Sequence, residues 1–259
     1  MPNSTTAPVA DHEGERFSTE IRPGVNFPDW TAITSAQARS ALNDIIRAFG
    51  IDRCWRDYSP DEDLCRRTIL QAYLDQGRPP TISQLSARLG RSANAVGQIL
   101  LSLKRRDLVL FDEQTASIQG TYPLCERETE HSVRLGDIVV HAMCAIDALG
   151  TGRMYRRDAV IESRCRATMA PIRIATTDLG RSLGAVAPAQ AVVWSGIRAT
   201  EGCAADTLCP LMAFFADDTA LEDWRTKEHP TVPGYRLSIA EAMETGMAIF
   251  GPMLAEANA

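Results

Sequence analysis

Much that would place this chain quickly is missing from it. None of its apolar runs approaches the roughly 20 residues needed to cross a bilayer. Basic residues are not in excess: 27 Lys and Arg stand against 33 Asp and Glu, a net charge of -6. That balance argues against a nucleic-acid binder working through overall charge and leaves room only for a local basic patch. There is no Cys-x-x-Cys pair and no Cys/His cluster at zinc-finger spacing, which argues against a structural zinc site and a thioredoxin-type redox site. The seven cysteines (Cys54, Cys65, Cys125, Cys144, Cys165, Cys203 and Cys209) are an odd number. The opening stretch "MPNSTTAPVADHEGERF" has neither the basic start nor the apolar core of a secretory signal. Reduced thiols in a cytoplasmic protein are therefore expected, not a disulfide scaffold. No internal repeat is present, and no low-complexity segment beyond the N-terminal stretch.

What is present is an ordinary globular composition. The 259 residues are 45% hydrophobic, enough for one large or two small domains. Residues 1–30, rich in Pro, Ser, Thr and charge, read as a flexible tail. Helical spacing and closing glycines predict helices over "TSAQARSALNDIIRAFG" and "SPDEDLCRRTILQAYLDQG". "TISQLSARLG" and "SANAVGQILLSLKRRDL" predict two more helices joined by a tight turn at Gly90, and "VLFDEQTASIQGTYPL" predicts two strands with a polar tip. That order predicts a winged-helix-like helical domain over 31–125. Beyond a boundary near Pro123 to Glu130, "SVRLGD", "AVIESRC", "PIRIATT" and "AVVWSGI" read as strands. "IVVHAMCAIDAL", "ALEDWRTKE" and "SIAEAMETGMAIFGPML" read as helices. Residues 126–259 are thus expected to form an α+β domain around a mostly antiparallel sheet with flanking helices.

The helical domain invites a DNA-binding reading, with Arg88, Arg91, Lys104, Arg105 and Arg106 on phosphates. Its second helix is poor in base-reading side chains, offering only Ser92, Asn94 and Gln98 near its start. Its basic residues crowd the last turn, where they complement the helix dipole. A packing module is the better reading, and no nucleic-acid partner is expected.

"HAMCAIDALG" is the stretch with chemistry in it. A free cysteine is usually a small buried hydrophobe, and that is the ordinary reading of Cys144. Asp147 weakens it, because a carboxylate on an apolar helix needs a partner or a task. Three residues apart on a helix, thiol and acid would share a face and could pass a proton between them. His141 lies three residues before the thiol and reads as an ordinary helix residue. Cys209, in "DTLCPLMAFFADD", taken alone reads as a core thiol at a turn, and Cys165, in "ESRCRATMAP", as a structural one at a strand end. Cys54, Cys65, Cys125 and Cys203 have no suggestive neighbours.

The pattern "CAIDAL", then "SRCRATMAPIRIATT", then "LCPLMAFFADDTALEDWRTKEH" resembles the organomercurial (alkylmercury) lyases, from about residue 80 to the end. The resemblance implies a catalytic set of Cys144, Asp147 and Cys209, with Cys165 as the family's structural cysteine. It implies protonolysis of a carbon–mercury bond: two thiolates take the metal, to which Asp147 is also close, and Asp147 protonates the leaving carbon. No organic cofactor is implied. Hg(II) stays as bound product until cellular thiols or a mercuric reductase accept it. The chain departs from the family at Pro210, where many members have a second cysteine. It departs again at "ALGTGRMYRRD", where bulky apolar residues usually wall the site, so an altered substrate pocket is expected. Two other readings compete: a homologue with another substrate, and a winged-helix regulator that senses metal or thiol-reactive compounds without turnover.

Overall fold

The computed structural model describes residues 17–55, 57–198, 202–228 and 231–257. Local signals set most of the helix ends. Ser35 caps α1 (Ala36–Ala48), its hydroxyl accepting from the Gln37 and Ala38 amides. After the short α2 (Ile51–Cys54), Ser59 and Glu62 form a capping box at the start of α3 (Pro60–Gln76), which stops at Gly77 with φ 72°. Thr81 and Gln84 do the same for α4 (Ile82–Leu89), which stops at Gly90 with φ 63°. α5 (Ala93–Arg105) follows directly. Side-chain caps satisfy amides that the first helical turn leaves unpaired, and glycine takes the left-handed turn without strain.

The strands form three antiparallel sheets. β3 (Leu110–Asp112), β4 (Ser117–Thr121), β5 (Leu124–Cys125), β6 (Ser132–Leu135), β7 (Ile138–Ala142), β8 (Val160–Arg164), β9 (Pro171–Thr177) and β10 (Ser182–Ala187) make an eight-stranded sheet, ordered β10-β9-β8-β6-β7-β5-β4-β3. β11 (Val192–Gly196) lies between β12 (Met212–Phe215) and β13 (Gly234–Ser238) in a second sheet. α6 (Ala145–Tyr155) and α9 (Ile239–Phe250) pack against each other, with α7 (Ala204–Thr207) and α8 (Asp218–Glu228) completing the helices. The mixed helix and antiparallel-sheet architecture is as expected from the sequence.

Several particulars differ. Residues 1–16 of the expected tail lie outside the described residues, but 17–30 are ordered structure. β1 (Thr19–Arg22) and β2 (Val25–Phe27) form a hairpin whose Ile21, Val25 and Phe27 are buried. Three apolar residues in a polar stretch suffice because the helices supply the surface they pack on. The expected boundary between 125 and 126 does not separate two cores: β5 pairs with β4 on one side and β7 on the other. The β3–β4 hairpin ends the large sheet and does not stand apart as a free wing. Most of the basic residues considered for phosphate contact are engaged with acids: Arg88 with Asp75, Arg91 with Asp61, Lys104 with Glu113 and Arg106 with Glu62. Among the described residues, no helix is long and apolar enough to cross a membrane.

Candidate active site

The stretch predicted as one helix, "IVVHAMCAIDAL", is a strand, a break and a helix. β7 ends at Ala142, and Cys144 is the N-cap of α6, with extended φ and ψ of -151° and 179°. The β-branched Ile138, Val139 and Val140 favour the strand, and the small residues after Cys144 favour the helix. His141 is consequently on β7, paired with Ser132 and Cys125, and does not share a helix with the thiol. Oxygen-bearing side chains are the preferred N-caps. Here a sulfur takes that place, accepting from the Asp147 amide at 3.5 Å. The position trades capping strength for a soft nucleophile at the mouth of a helix.

Asp147 sits in the first turn of α6, and Cys209 opens a 3-10 turn, Cys209–Leu211, that runs into β12. Chain separation is thereby erased: the ligand atoms of Cys144, Asp147 and Cys209 all lie within 4.8 Å of one another. Cys209 Sγ is 3.9 Å from Asp147 Oδ2. All three are buried, Asp147 at 5% exposure. Among the described residues this is the single group of three or more such side chains close enough to share a metal ion. Met212, which the sequence did not single out, places its thioether 4.0 Å from Cys144 Sγ.

Burial governs the electrostatics. It raises the Asp147 carboxyl to about 7, because an ionised carboxylate is poorly solvated here. It also raises the Cys144 thiol. The hydrogen bond with Cys144, and then burial, hold the Cys209 thiol well above its ordinary value. At neutral pH both sulfurs carry protons, and the acid stands near half protonation. The arrangement stores protons next to soft ligand atoms.

Cys144 and Asp147 open on an apolar cavity of about 60 Å³. Phe27, Trp55, Ile146, Met212 and Phe250 are among its walls, as is Cys54. The expectation that "GTGRMYRRD" alters the pocket wall is corrected: no residue from 148 to 158 lines the cavity. Its Gly150 serves helix packing. A Cβ on Gly150 would come within 2.5 Å of the Gly246 carbonyl, and one on Gly246 within 2.6 Å of the Ile146 carbonyl. Only two glycines let α6 and α9 approach this closely. Arg156 and Arg157 point to solvent.

Cys165 is fully buried at the end of β8, outside the trio, with its amide donating to the Ala170 carbonyl at 2.8 Å. Cys65 is buried in α3. Cys125, on β5, lies close enough to Asp147 for the carboxylate to help raise its thiol, behind burial and alongside an opposing Arg127. Cys203 contacts the Tyr122 hydroxyl at 3.6 Å.

Comparison with known proteins gives this geometry a relationship. The family model described as alkylmercury lyase matches residues 124–251. An alkylmercury lyase of Streptomyces lividans is 28% identical over 188 residues, covering 73% of this chain and 82% of that protein. The crystal structure of the mercury-bound form of MerB2 superposes with a TM-score of 0.69 at 22% identity, over 83% of this chain and 99% of that one. The last likeness speaks for the fold. The family match spans the strand–helix junction that carries Cys144 and Asp147 and the turn that carries Cys209, and together with the sequence relative it supports the alkylmercury lyase family for this chain.

Proposed function

We propose that this protein is an organomercurial lyase that cleaves the carbon–mercury bond by protonolysis at Cys144, Asp147 and Cys209. The observation that carries the reading is a carboxyl with a value near 7 held within 4.8 Å of two thiols in a buried site. Mercury is a soft cation that prefers sulfur to oxygen or nitrogen. With a substrate R-Hg-X, the Cys144 sulfur bonds to mercury, X leaves, and the thiol proton leaves with it as HX. The Cys209 sulfur then bonds to mercury and gives its proton to the Asp147 carboxylate, with which it is in contact. Two sulfur donors push electron density onto the metal and weaken its bond to carbon. Asp147 returns its proton to that carbon as a general acid. The hydrocarbon RH departs, and Hg(II) remains between the two sulfurs, with no change in its oxidation state. Two outside thiols, from small cellular thiols or a mercuric reductase, then exchange with the protein sulfurs and carry the ion away.

Raised thiols suit this sequence better than permanent thiolates would. A free thiolate pair in a buried site would repel, whereas mercury displaces each proton as it bonds. The test is direct: purified protein, a phenylmercury salt and excess small thiol should yield stoichiometric, catalytic benzene. Binding of mercury with no hydrocarbon release over many enzyme equivalents would favour a sensor and sink the lyase reading.

A further inference from the structure

The cavity beside the trio has its far wall outside the segment that the family model matches. Phe27 comes from β2, Phe49 from the end of α1, and Trp55 from the end of α2, all before residue 124. Phe27 and Trp55 stack with ring centroids 4.7 Å apart and planes 29° from parallel. Tyr58 meets Trp55 edge-on at 5.0 Å, and Phe49 meets Tyr122 edge-on at 6.5 Å. The buried Arg66 guanidinium lies 4.8 Å from the Trp55 ring centroid. Arg66 is itself fixed, its Nε donating to Thr121 Oγ1 at 3.2 Å and one Nη to the Tyr122 carbonyl at 3.0 Å. The wall is therefore rigid, flat and held from behind.

We infer that this aromatic wall makes the enzyme selective for organomercurials whose carbon group is a flat aromatic ring, with Phe27, Phe49 and Trp55 as the selecting residues. The inference rests on the lyase reading above. With mercury at Cys144 and Cys209 and the bonded carbon within reach of Asp147, the organic group has the apolar cavity to occupy. A methyl group leaves more of that space unfilled than an aryl group does. An aryl group fills it and gains edge or stacked contacts with rings already in position, at little ordering cost. Pocket complementarity of this kind changes kcat/KM by about 10- to 200-fold for even one methylene, and a phenyl group is several carbons larger than a methyl.

The experiment compares phenylmercury and methylmercury salts under the same excess of small thiol, following benzene and methane. The parent enzyme should favour phenylmercury in kcat/KM, with the lower KM. Phe49→Ala, at a partly buried position, and the more conservative Trp55→Leu should each cut the phenyl-to-methyl ratio by roughly 10-fold, mainly through KM for phenylmercury. The ratio is insensitive to the fraction of protein that is correctly folded, so a structural loss alone leaves it unmoved. Parent enzyme that turns over both salts with equal kcat/KM, or variants that keep the parent ratio, overturns the inference while leaving the lyase reading intact. No turnover of either salt by the parent overturns both.

Discussion

Two buried polar clusters in this molecule look alike on paper and differ in kind. One is Cys144, Asp147 and Cys209. The other is His131, Ser163 and Glu130, a histidine between a hydroxyl and an acid, with His131 Nδ1 2.8 Å from Ser163 Oγ and Nε2 3.7 Å from Glu130. The second has the residue types of a hydrolytic triad. It opens on none of the described cavities, however, and Glu130 is already paired with Arg166. Burial, helped by Arg166, lowers His131 to about 3, so the imidazole stays neutral and simply satisfies its neighbours. In the first cluster the three groups have each other as polar partners, all three hold their protons more tightly than usual, and an apolar cavity adjoins them. Residue type alone does not distinguish the clusters. Whether protons are left free to move, and whether a substrate can reach them, does.

The largest test of that contrast removes a sulfur. Cys144→Ala and Cys209→Ala should each bring turnover of a phenylmercury salt down to background, since one sulfur cannot both hold the metal and activate the carbon. A variant with near-parent benzene release would break the two-thiol scheme. Next in size, Asp147→Asn should lower turnover by roughly 10²-fold or more, because an amide supplies no acidic proton, while Hg(II) titration still shows one equivalent bound. Loss of binding along with turnover would make Asp147 a ligand or an anchor.

The same substitution should report on stability. Asp147 holds its proton to about pH 7 when folded, against about 3.9 for an unfolded aspartate. The folded state therefore binds the proton more tightly, and stability falls as pH rises through the window from about 4 to 7 and stays low above it. Asp147→Asn escapes that loss. Its unfolding free energy should match the parent near pH 4 and exceed it at pH 8, by a margin on the order of a few kcal/mol. An offset that does not change with pH would show that the carboxyl is not held protonated.

Ser163→Ala should have the opposite profile from the active-site variants. Leaving the buried His131 Nδ1 without its partner should cost about 1–3 kcal/mol in a denaturant midpoint, with kcat within about two-fold of parent. A collapse in kcat would end the contrast drawn here. Cys165→Ala should have the smallest effect, about 1 kcal/mol or slightly more, again in stability. Lost activity at an unchanged melting temperature would move Cys165 into the site.

The candidate site was legible where chemistry and short spacing coincide. A carboxylate three residues from a thiol in an apolar run needs a reason wherever it occurs, and Asp147 was found on that ground. Cys209 was not found that way; by itself it reads as a core thiol, and only the resemblance of the surrounding segments tied it to Cys144. The helix stops at Gly77 and Gly90 were legible because a glycine's left-handed turn is a local signal. β12 and β13 were missed, since "MAFF" and "GYRLS" are too short and mixed to show a period. The break at Met143 was missed because small apolar residues fit a buried helix and a buried strand about equally.

The sequence by itself determined the class of fold, most helix ends and the pairing of Cys144 with Asp147, all of which depend on interactions across a few residues. Only the tertiary structure decided that Cys144 caps its helix, that Cys209 arrives beside it from 65 residues away, and that a hairpin near residue 27 and a helix end near residue 55 wall the cavity. It decided the acid's proton affinity as well. That value is set by how completely the surrounding elements exclude water, and exclusion of water belongs to the packed chain, not to any segment of it.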